Sequence, residues 1–479
     1  LWTQAHGRDI AAMHFPRVLY EINCAAWLDD LAAHQHRPVA LDTVPDRCWA
    51  EIAELGADAV WLMGVWERSP LAAGIAQRHP AFAGDRSTLA WADRRDVCGS
   101  AFAVRSWHVD PRFGGDAALA RARIALERHR LGLWLDWIPN HVAPDHPWVR
   151  WALPGGDGLA SIRVKGRALA CGRDPFFPAW PDTVQLDLNH SELRAAVGAE
   201  LASLARRCDG VRCDMAMLAL PDVYARTWGG RGSKAPHTGY WPEVLGAARR
   251  HATGFGTIAE SYWGRERDVL NQGFDAAYDK ALYDALRQGD AQEVRYHAHA
   301  SACTVRFLEN HDEARAATAF PEPRRRAAAA VLATLPGTWL IHAGQEHGHR
   351  LRVPVTLAKG GHEPADPAER TQWRTLLHLR RLPAMGGAWR QLETTGWPDN
   401  RSHRNLLAWQ WEGAGQRLLT VVNWSDGRSQ ARIRLAWGGG NMHLREVRDG
   451  TAFDRDGGEL AREGLYVDLP PWGSHLLAC

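Results

Sequence analysis

The sequence predicts an α/β fold: a (β/α)8 TIM barrel, interrupted by a short inserted subdomain after strand three and followed by a C-terminal β-sandwich. Three observations predict it. Four short apolar runs each end in acidic residues, around Asp136, Asp214, Glu260 and Asp312. Helical patterns lie between them, and a barrel of this kind gathers its reactive groups at the C-terminal ends of its strands. From about Met385 the texture changes to period-two alternation broken by turns, which indicates a sandwich. The barrel then takes residues 1–140 and 190–384, the insertion 141–189 and the sandwich 385–479.

Taken in order, Val18-Leu19-Tyr20-Glu21-Ile22-Asn23 reads as the first strand, residues 44–55 as a helix and residues 59–63 as the second strand. Residues 64–115 carry many Arg, Pro and Gly with little periodicity, and read as one long structureless loop, which in a compact domain signals function. Residues 116–130 form a helix, acidic at its start and basic at its end, as the macrodipole favours. The third strand follows in Gly132-Leu133-Trp134-Leu135-Asp136-Trp137-Ile138-Pro139-Asn140-His141. After the Gly- and Pro-rich insertion, Leu193, Val197, Leu201 and Leu204 recur at helical spacing across residues 191–207.

The fourth strand runs into Asp209-Gly210-Val211-Arg212-Cys213-Asp214. Arg212 and Asp214 are two apart, so on a strand they point to one side. A guanidinium there favours the ionised carboxylate, and an ionised carboxylate can act as a nucleophile. The plainer alternative for this pair is a structural ion pair at a strand end. Residues 224–240, with Trp228, Gly229, Gly230, Gly232 and Lys234, read as an excursion over the site or a simple surface loop. Then come a helix over 242–251, the Gly256-Thr257-Ile258-Ala259-Glu260 strand, a strand over 273–278 and a helix over 290–300. Val305-Arg306-Phe307-Leu308 leads into Glu309-Asn310-His311-Asp312. A helix over 324–333, a strand over 337–346 and a helix over 366–382 close the barrel.

Length and composition bound the partners. The chain has 479 residues, enough for a large core and two or three domains. A formal charge of +2 argues for neither nucleic acid nor a membrane surface. No apolar run is long enough to span a bilayer. Eight cysteines are scattered without metal-ligand spacing, several of them in apolar segments, which suggests a reducing compartment and a cytoplasmic location. The first residue is not Met, which leaves a removed signal peptide open. The 24 tryptophans outnumber phenylalanine and tyrosine together, and indole faces stack on sugar rings.

In their order and form, Asp136-x-x-x-Asn140-His141, Gly210-x-Arg212-x-Asp214, the isolated Glu260 and Asn310-His311-Asp312 resemble the four motif regions of the α-amylase family of glycoside hydrolases. Gln185-Leu186-Asp187-Leu188-Asn189 is similar to a fifth, weaker motif. The resemblance implies a retaining mechanism with Asp214 as nucleophile, Glu260 as general acid and then base, and Asp312 as stabiliser of the distorted sugar. It further implies that His141 and His311 bind sugar hydroxyls, that Asp136 orients Arg212, that Asn140 belongs to the same cluster, and that Phe102 stacks under the sugar being cleaved. Trp263, three residues past Glu260, is placed to stack on the acceptor side, with Trp228 as a second candidate.

One departure is informative. Many members carry a polar pair three and four residues after the nucleophile, where this chain has Met217 and Leu218. These either line an apolar acceptor wall or pack beneath the neighbouring helix. The departure predicts no tightly bound calcium, so no metal and no cofactor are expected. The expected partner is an α-linked oligosaccharide or glucan, with the oligomeric state left open. The expected activity is hydrolysis or transglycosylation of α-glucosidic bonds. A transferase acting on maltose, sucrose or trehalose-like disaccharides is the alternative within the class. A non-catalytic binding or scaffold relative is the alternative outside it; such relatives usually lose the carboxylates that this chain keeps.

Overall fold

The computed structural model describes residues 15–156, 158–233, 239–298 and 303–479. Eight parallel strands form a closed barrel: β1 (Val18–Asn23), β2 (Ala59–Met63), β3 (Gly132–Trp137), β4 (Gly210–Cys213), β5 (Gly256–Ala259), β6 (Ala276–Tyr278), β7 (Thr304–Arg306) and β8 (Thr338–His342). Neighbours in sequence are neighbours around the barrel, and β1 closes onto β8. The strands are buried along nearly their whole length, as expected when helices cover the outside and side chains fill the inside. Two glycines make room for one large filler. A Cβ at Gly210 or Gly256 would stand about 2.6 or 2.5 Å from the indole of Trp134, so only glycine on β4 and β5 lets that ring in.

The chain divides into two compact units. The first comprises Leu1–Ala53, Ala57–Tyr278 and Leu351–Glu363, and so carries β1 to β6. The second comprises Glu54–Gly56, Asp279–Arg350 and Pro364–Cys479, and carries β7, β8 and the C-terminal sheets.

In the first unit the helix Cys24–Gln35 starts where the Asn23 side chain accepts from the Ala26 N–H. The segment 64–115 is not the structureless loop its sequence suggests. It contains the antiparallel strands Trp66–Arg68 and Val104–Val109 and the helices Pro70–Ala76 and Ala83–Thr88. Ala76, Leu89 and Val97 pack with Leu357 into a small core of their own. Elements of three to seven residues are too short to show a period. The insertion likewise has order: His141–Val142 pairs with Val184–Gln185, and Ser161–Val164 pairs with Arg167–Ala170.

In the second unit, the helix Lys280–Gln288 fills a stretch between the sixth strand and the helix expected from residue 290. It is capped by Asp279, whose Oδ1 accepts from the Leu282 N–H at 3.1 Å and whose Oδ2 holds the buried Arg306 at 2.9 Å. The strand expected over 337–346 ends at His342 and gives way to the turn Gln345–His347.

The C-terminal strands are β9 (Ala388–Gln391), β10 (Leu406–Gly413), β11 (Gln416–Asn423), β12 (Ser429–Ile433), β13 (Asn441–Glu446), β14 (Ala452–Asp456), β15 (Leu465–Leu469) and β16 (Ser474–Ala478). They form an antiparallel six-stranded sheet in the order β9-β10-β11-β16-β13-β14 and a two-stranded β12-β15 sheet. Leu406, Leu419 and Val421 of the first meet Ala431, Ile433 and Val467 of the second in one apolar core, the sandwich the period-two pattern predicts. All eight cysteines are free.

Candidate active site

The first unit gathers its strand-end carboxylates around one arginine. In the β3–β4 register Arg212 stands opposite Asp136, so both side chains point to the same side. Arg212 is buried and forks: Nη1 donates to Asp214 Oδ1 at 2.8 Å and Nη2 reaches Glu260 Oε1 at 2.8 Å. Its Nε donates to the Tyr278 hydroxyl at 3.3 Å, and its guanidinium lies 5.2 Å from the centre of the Phe102 ring and 5.6 Å from that of Trp61. Burial pulls the Arg212 pKa down, but Glu260, Tyr278, Asp214 and Asp136 together hold it well above its ordinary value. The guanidinium is therefore a fixed positive charge shared by two carboxylates.

Asp136 reaches Arg212 by charge and through an intermediary. Its Oδ1 accepts from the Trp61 indole N–H at 3.1 Å and its Oδ2 from the Gly64 N–H at 2.6 Å. Trp61 in turn underlies the guanidinium. Phe102, on the segment before Val104–Val109, also lies against that guanidinium.

Glu260 is fixed by residues no motif pointed to. Its Oε1 accepts from the Tyr262 hydroxyl at 2.7 Å and its Oε2 from the Met215 N–H at 2.5 Å. Met215, directly after Asp214, adopts φ 45°, a left-handed backbone that a non-glycine residue takes up only under constraint. That turn aims its N–H at the acid. Tyr278 ends β6, where a count along the strand could have flagged it, whereas Tyr262 lies in the irregular segment after β5, two residues past Glu260.

His141 lies 3.8 Å from Asp214 Oδ2 and packs on Trp180, ring centres 4.9 Å apart. Burial, with a smaller push from Arg212, drives its pKa down to about 3, so the ring is neutral at ordinary pH. Asn140 is clamped by Gln185, whose Nε2 donates to the Asn140 backbone oxygen at 2.9 Å and to its Oδ1 at 3.0 Å. Among the described residues no group of three or more His, Cys, Asp or Glu could hold a metal.

Met217 and Leu218 are buried in the turn Ala216–Ala219. Trp228 is not a loop residue: it ends the helix Pro221–Trp228 and is buried, and Gly229 at φ 57° caps that helix. Lys234 lies outside the described residues. Trp263 is 37% exposed and meets the edge of Phe176, itself 52% exposed, at 4.7 Å. Arg226 stacks on the far ring at 4.8 Å. Because Trp263 sits outside the core, Trp263→Ala is expected to raise KM or lower the transfer-to-hydrolysis ratio several-fold and to leave Tm nearly unchanged. A large fall in Tm with unchanged acceptor use would make Trp263 a packing residue instead.

The second unit carries the remaining motif just past β7. Asn310 Oδ1 accepts from the N–H groups of Asp312 and Glu313, both at 2.9 Å, and His311 Nε2 lies 3.0 Å from Asp312 Oδ2. His311 is buried, whereas the Asp312 side chain is 44% exposed. Glu309 is buried in an ion cluster: Arg315 at 2.9 Å and the Ala316 N–H at 2.5 Å. Arg315 also reaches His342 and the Ala343 carbonyl, tying the turn after β7 to the end of β8.

Two buried neutral histidines give the first unit a pH signature. His146, like His141, is driven by burial to about 3, and its Nδ1 accepts from the Trp148 N–H at 2.9 Å. A histidine whose folded pKa is depressed contributes stability that is full above the unfolded value of 6.5 and falls away as pH drops toward 3. Asp182 runs the other way, since burial raises it to about 6 and it takes up a proton on folding. Between pH 7 and pH 5 the histidines cost about 4 kcal/mol together and Asp182 offsets about 1. His146→Asn keeps an acceptor for Trp148 and removes one titration. Chemical denaturation should show the loss between pH 7 and 5 reduced by about 2 kcal/mol; an unchanged loss contradicts the assignment.

No family model matches the chain. In sequence, it is 29% identical over 231 residues to the α-amylase MalA of Haloarcula japonica, an alignment covering 45% of this chain and 32% of that protein. The matched segment thus spans about a third of the relative's length. In structure, the maltogenic α-amylase AmyB of Thermotoga neapolitana superposes with a TM-score of 0.70 at 17% identity, covering 96% of this chain and 98% of that one. An α-amylase of Geobacillus thermoleovorans, solved with acarbose, gives 0.68 at 16% over 96% and 98%. A debranching enzyme of Nostoc punctiforme, soaked with acarbose, gives 0.66 at 16% over 97% and 98%. These superpositions match the barrel on which the strand-end motifs sit, and the sequence relative matches less than half of the chain directly, so the chain is similar in sequence to an α-amylase and shares the fold of these enzymes.

Proposed function

We propose that the protein is a retaining enzyme that hydrolyses or transfers across α-glucosidic bonds of glucans or oligosaccharides, through a covalent glycosyl-enzyme. The observation that carries this reading is the Arg212 fork, which holds Asp214 and Glu260 at 2.8 Å each. One guanidinium bridging both carboxyls is compatible with the separation of about 5–5.5 Å that a retaining pair requires. Asp214 attacks the anomeric carbon while Glu260 delivers a proton to the departing oxygen. Glu260 then takes a proton from water or from an acceptor hydroxyl, which attacks the same carbon and releases Asp214. Neutral His141, beside Asp214, is suited to donate to a sugar hydroxyl, and Phe102 to stack beneath the ring. The family motif assigns His311 to a second hydroxyl and Asp312 to the distorted sugar.

The exposed Trp263–Phe176 pair favours a stacked sugar as acceptor, which supports transfer, including the disaccharide-active reading, alongside hydrolysis. The survival of all three carboxylates argues against a non-catalytic scaffold. Eight free thiols support a cytoplasmic location, and no helix among the described residues is long and apolar enough to cross a membrane. Thin-layer chromatography after incubation with maltooligosaccharides, sucrose and trehalose, with and without added acceptor, tests the reading. Shorter or longer α-glucosides are the expected products. No change in any of these sugars contradicts it.

A further inference from the structure

The two-stranded β12–β15 sheet turns one face to solvent, and that face is chemically unusual. Ser429, Ala431, Ile433, Leu465, Val467 and Leu469 alternate into the core. Gln430 and Asp468 pair across the strands on the outer side, and Arg432 pairs with Tyr466. Tyr466 is 47% exposed. Trp397, from the turn that Thr395 attaches to Arg432, meets the Tyr466 ring at 6.0 Å with the planes 65° apart. The two rings make a corner with a floor and a wall.

Beside the corner runs a ladder of fixed polar groups. Asn400 Nδ2 donates to Gln430 Oε1 at 2.8 Å, and Gln430 Nε2 donates to Asp468 Oδ2 at 3.2 Å. Arg428 Nε donates to Asp468 Oδ1 at 2.7 Å, leaving the rest of a largely exposed guanidinium beyond the ladder. The ladder carries one paired positive and one paired negative charge. Arg432, on the same face, lies 3.6 Å from Glu463, so the face has no surplus charge to attract nucleic acid or an anionic lipid surface. The apolar area is two rings wide, too little for a protein interface core. Aromatic faces edged by prearranged donors and acceptors suit a ligand with apolar ring faces and an equatorial belt of hydroxyls.

We propose that Trp397 and Tyr466 form a non-catalytic binding site for an α-glucan chain on the C-terminal sandwich. The inclined rings fit a chain whose successive sugars turn, as α-linked glucose does, rather than a flat one. The choice of α-glucan rests on the proposed function above. The site would hold polymer near the enzyme and raise its effective concentration.

The test is retention of the full-length protein on starch granules and in native gels containing soluble starch, together with turnover of maltotriose. Wild type should be retained. Trp397→Ala and Tyr466→Ala should each lower retention about tenfold, Tyr466→Phe should keep it because the ring remains, and maltotriose turnover should stay within twofold in all of them. Equal retention of wild type and both alanine variants overturns the site, as does no retention of wild type. The latter with normal maltotriose turnover removes this inference alone. No turnover of maltotriose or of any other α-glucoside instead points to failure of the proposed function. A change of molecular mass in the alanine variants on size-exclusion chromatography, with unchanged starch retention, would assign the face to a second copy of the chain and overturn the proposal.

Discussion

Asp214→Asn is expected to give a folded protein with kcat lowered on the order of 10⁴-fold. The change keeps the shape and an acceptor for Arg212 Nη1, 2.8 Å away, and removes the charge. An amide oxygen is too weak a nucleophile to form the glycosyl-enzyme, so the first displacement stops. Folding survives because Arg212 keeps Glu260 at 2.8 Å and the Tyr278 hydroxyl at 3.3 Å, and the buried guanidinium is not left without a counter-charge. Removing the last partner of a buried charge would cost about 3–5 kcal/mol; here a partner remains. Initial rates with maltooligosaccharides and a thermal melt check both halves. A variant that keeps a tenth of the wild-type kcat contradicts the assignment of Asp214 as nucleophile.

Glu260→Gln is expected to lose about 10²–10⁴-fold on natural glycosides, the range that proton transfer supplies. On a glucosyl fluoride, whose leaving group departs without a proton, the loss of the first step should be far smaller. The structure adds a complication that the experiment can absorb. Both Glu260 oxygens face donors, Tyr262 and Arg212 on one side and the Met215 N–H on the other, so the glutamine amide must oppose at least one of them. Glu260→Ala places no donor there and should show the same contrast between substrates. Equal losses on fluoride and glycoside in both variants would remove Glu260 from the acid role.

The strand ends were legible in the sequence because each is a buried apolar run finished by a carboxylate, in an order that resembles one family. Arg212 and Asp214 could be put on one face by counting alone, and the fork between them at 2.8 Å agrees. What stayed hidden has physical reasons. The elements within residues 64–115 are too short for a period, and their core depends on Leu357, far along the chain. Gly229-Gly230 reads as a loop, whereas Gly229 closes a helix and the residue before it, Trp228, is buried. The left-handed Met215, which aims an N–H at Glu260, has no signature in residue type. Trp180 against His141 and Phe176 against Trp263 join segments tens of residues apart, where no local pattern announces a contact.

The central claim is double displacement at one carbon, with Asp214 on one face of the sugar. Two inversions restore the starting configuration, so product released by water must first appear as the α-anomer. Proton NMR of the anomeric signals during the first minutes of maltooligosaccharide cleavage, before mutarotation, reads this directly. The account predicts an initial α signal that later relaxes toward equilibrium. An initial β signal would contradict it.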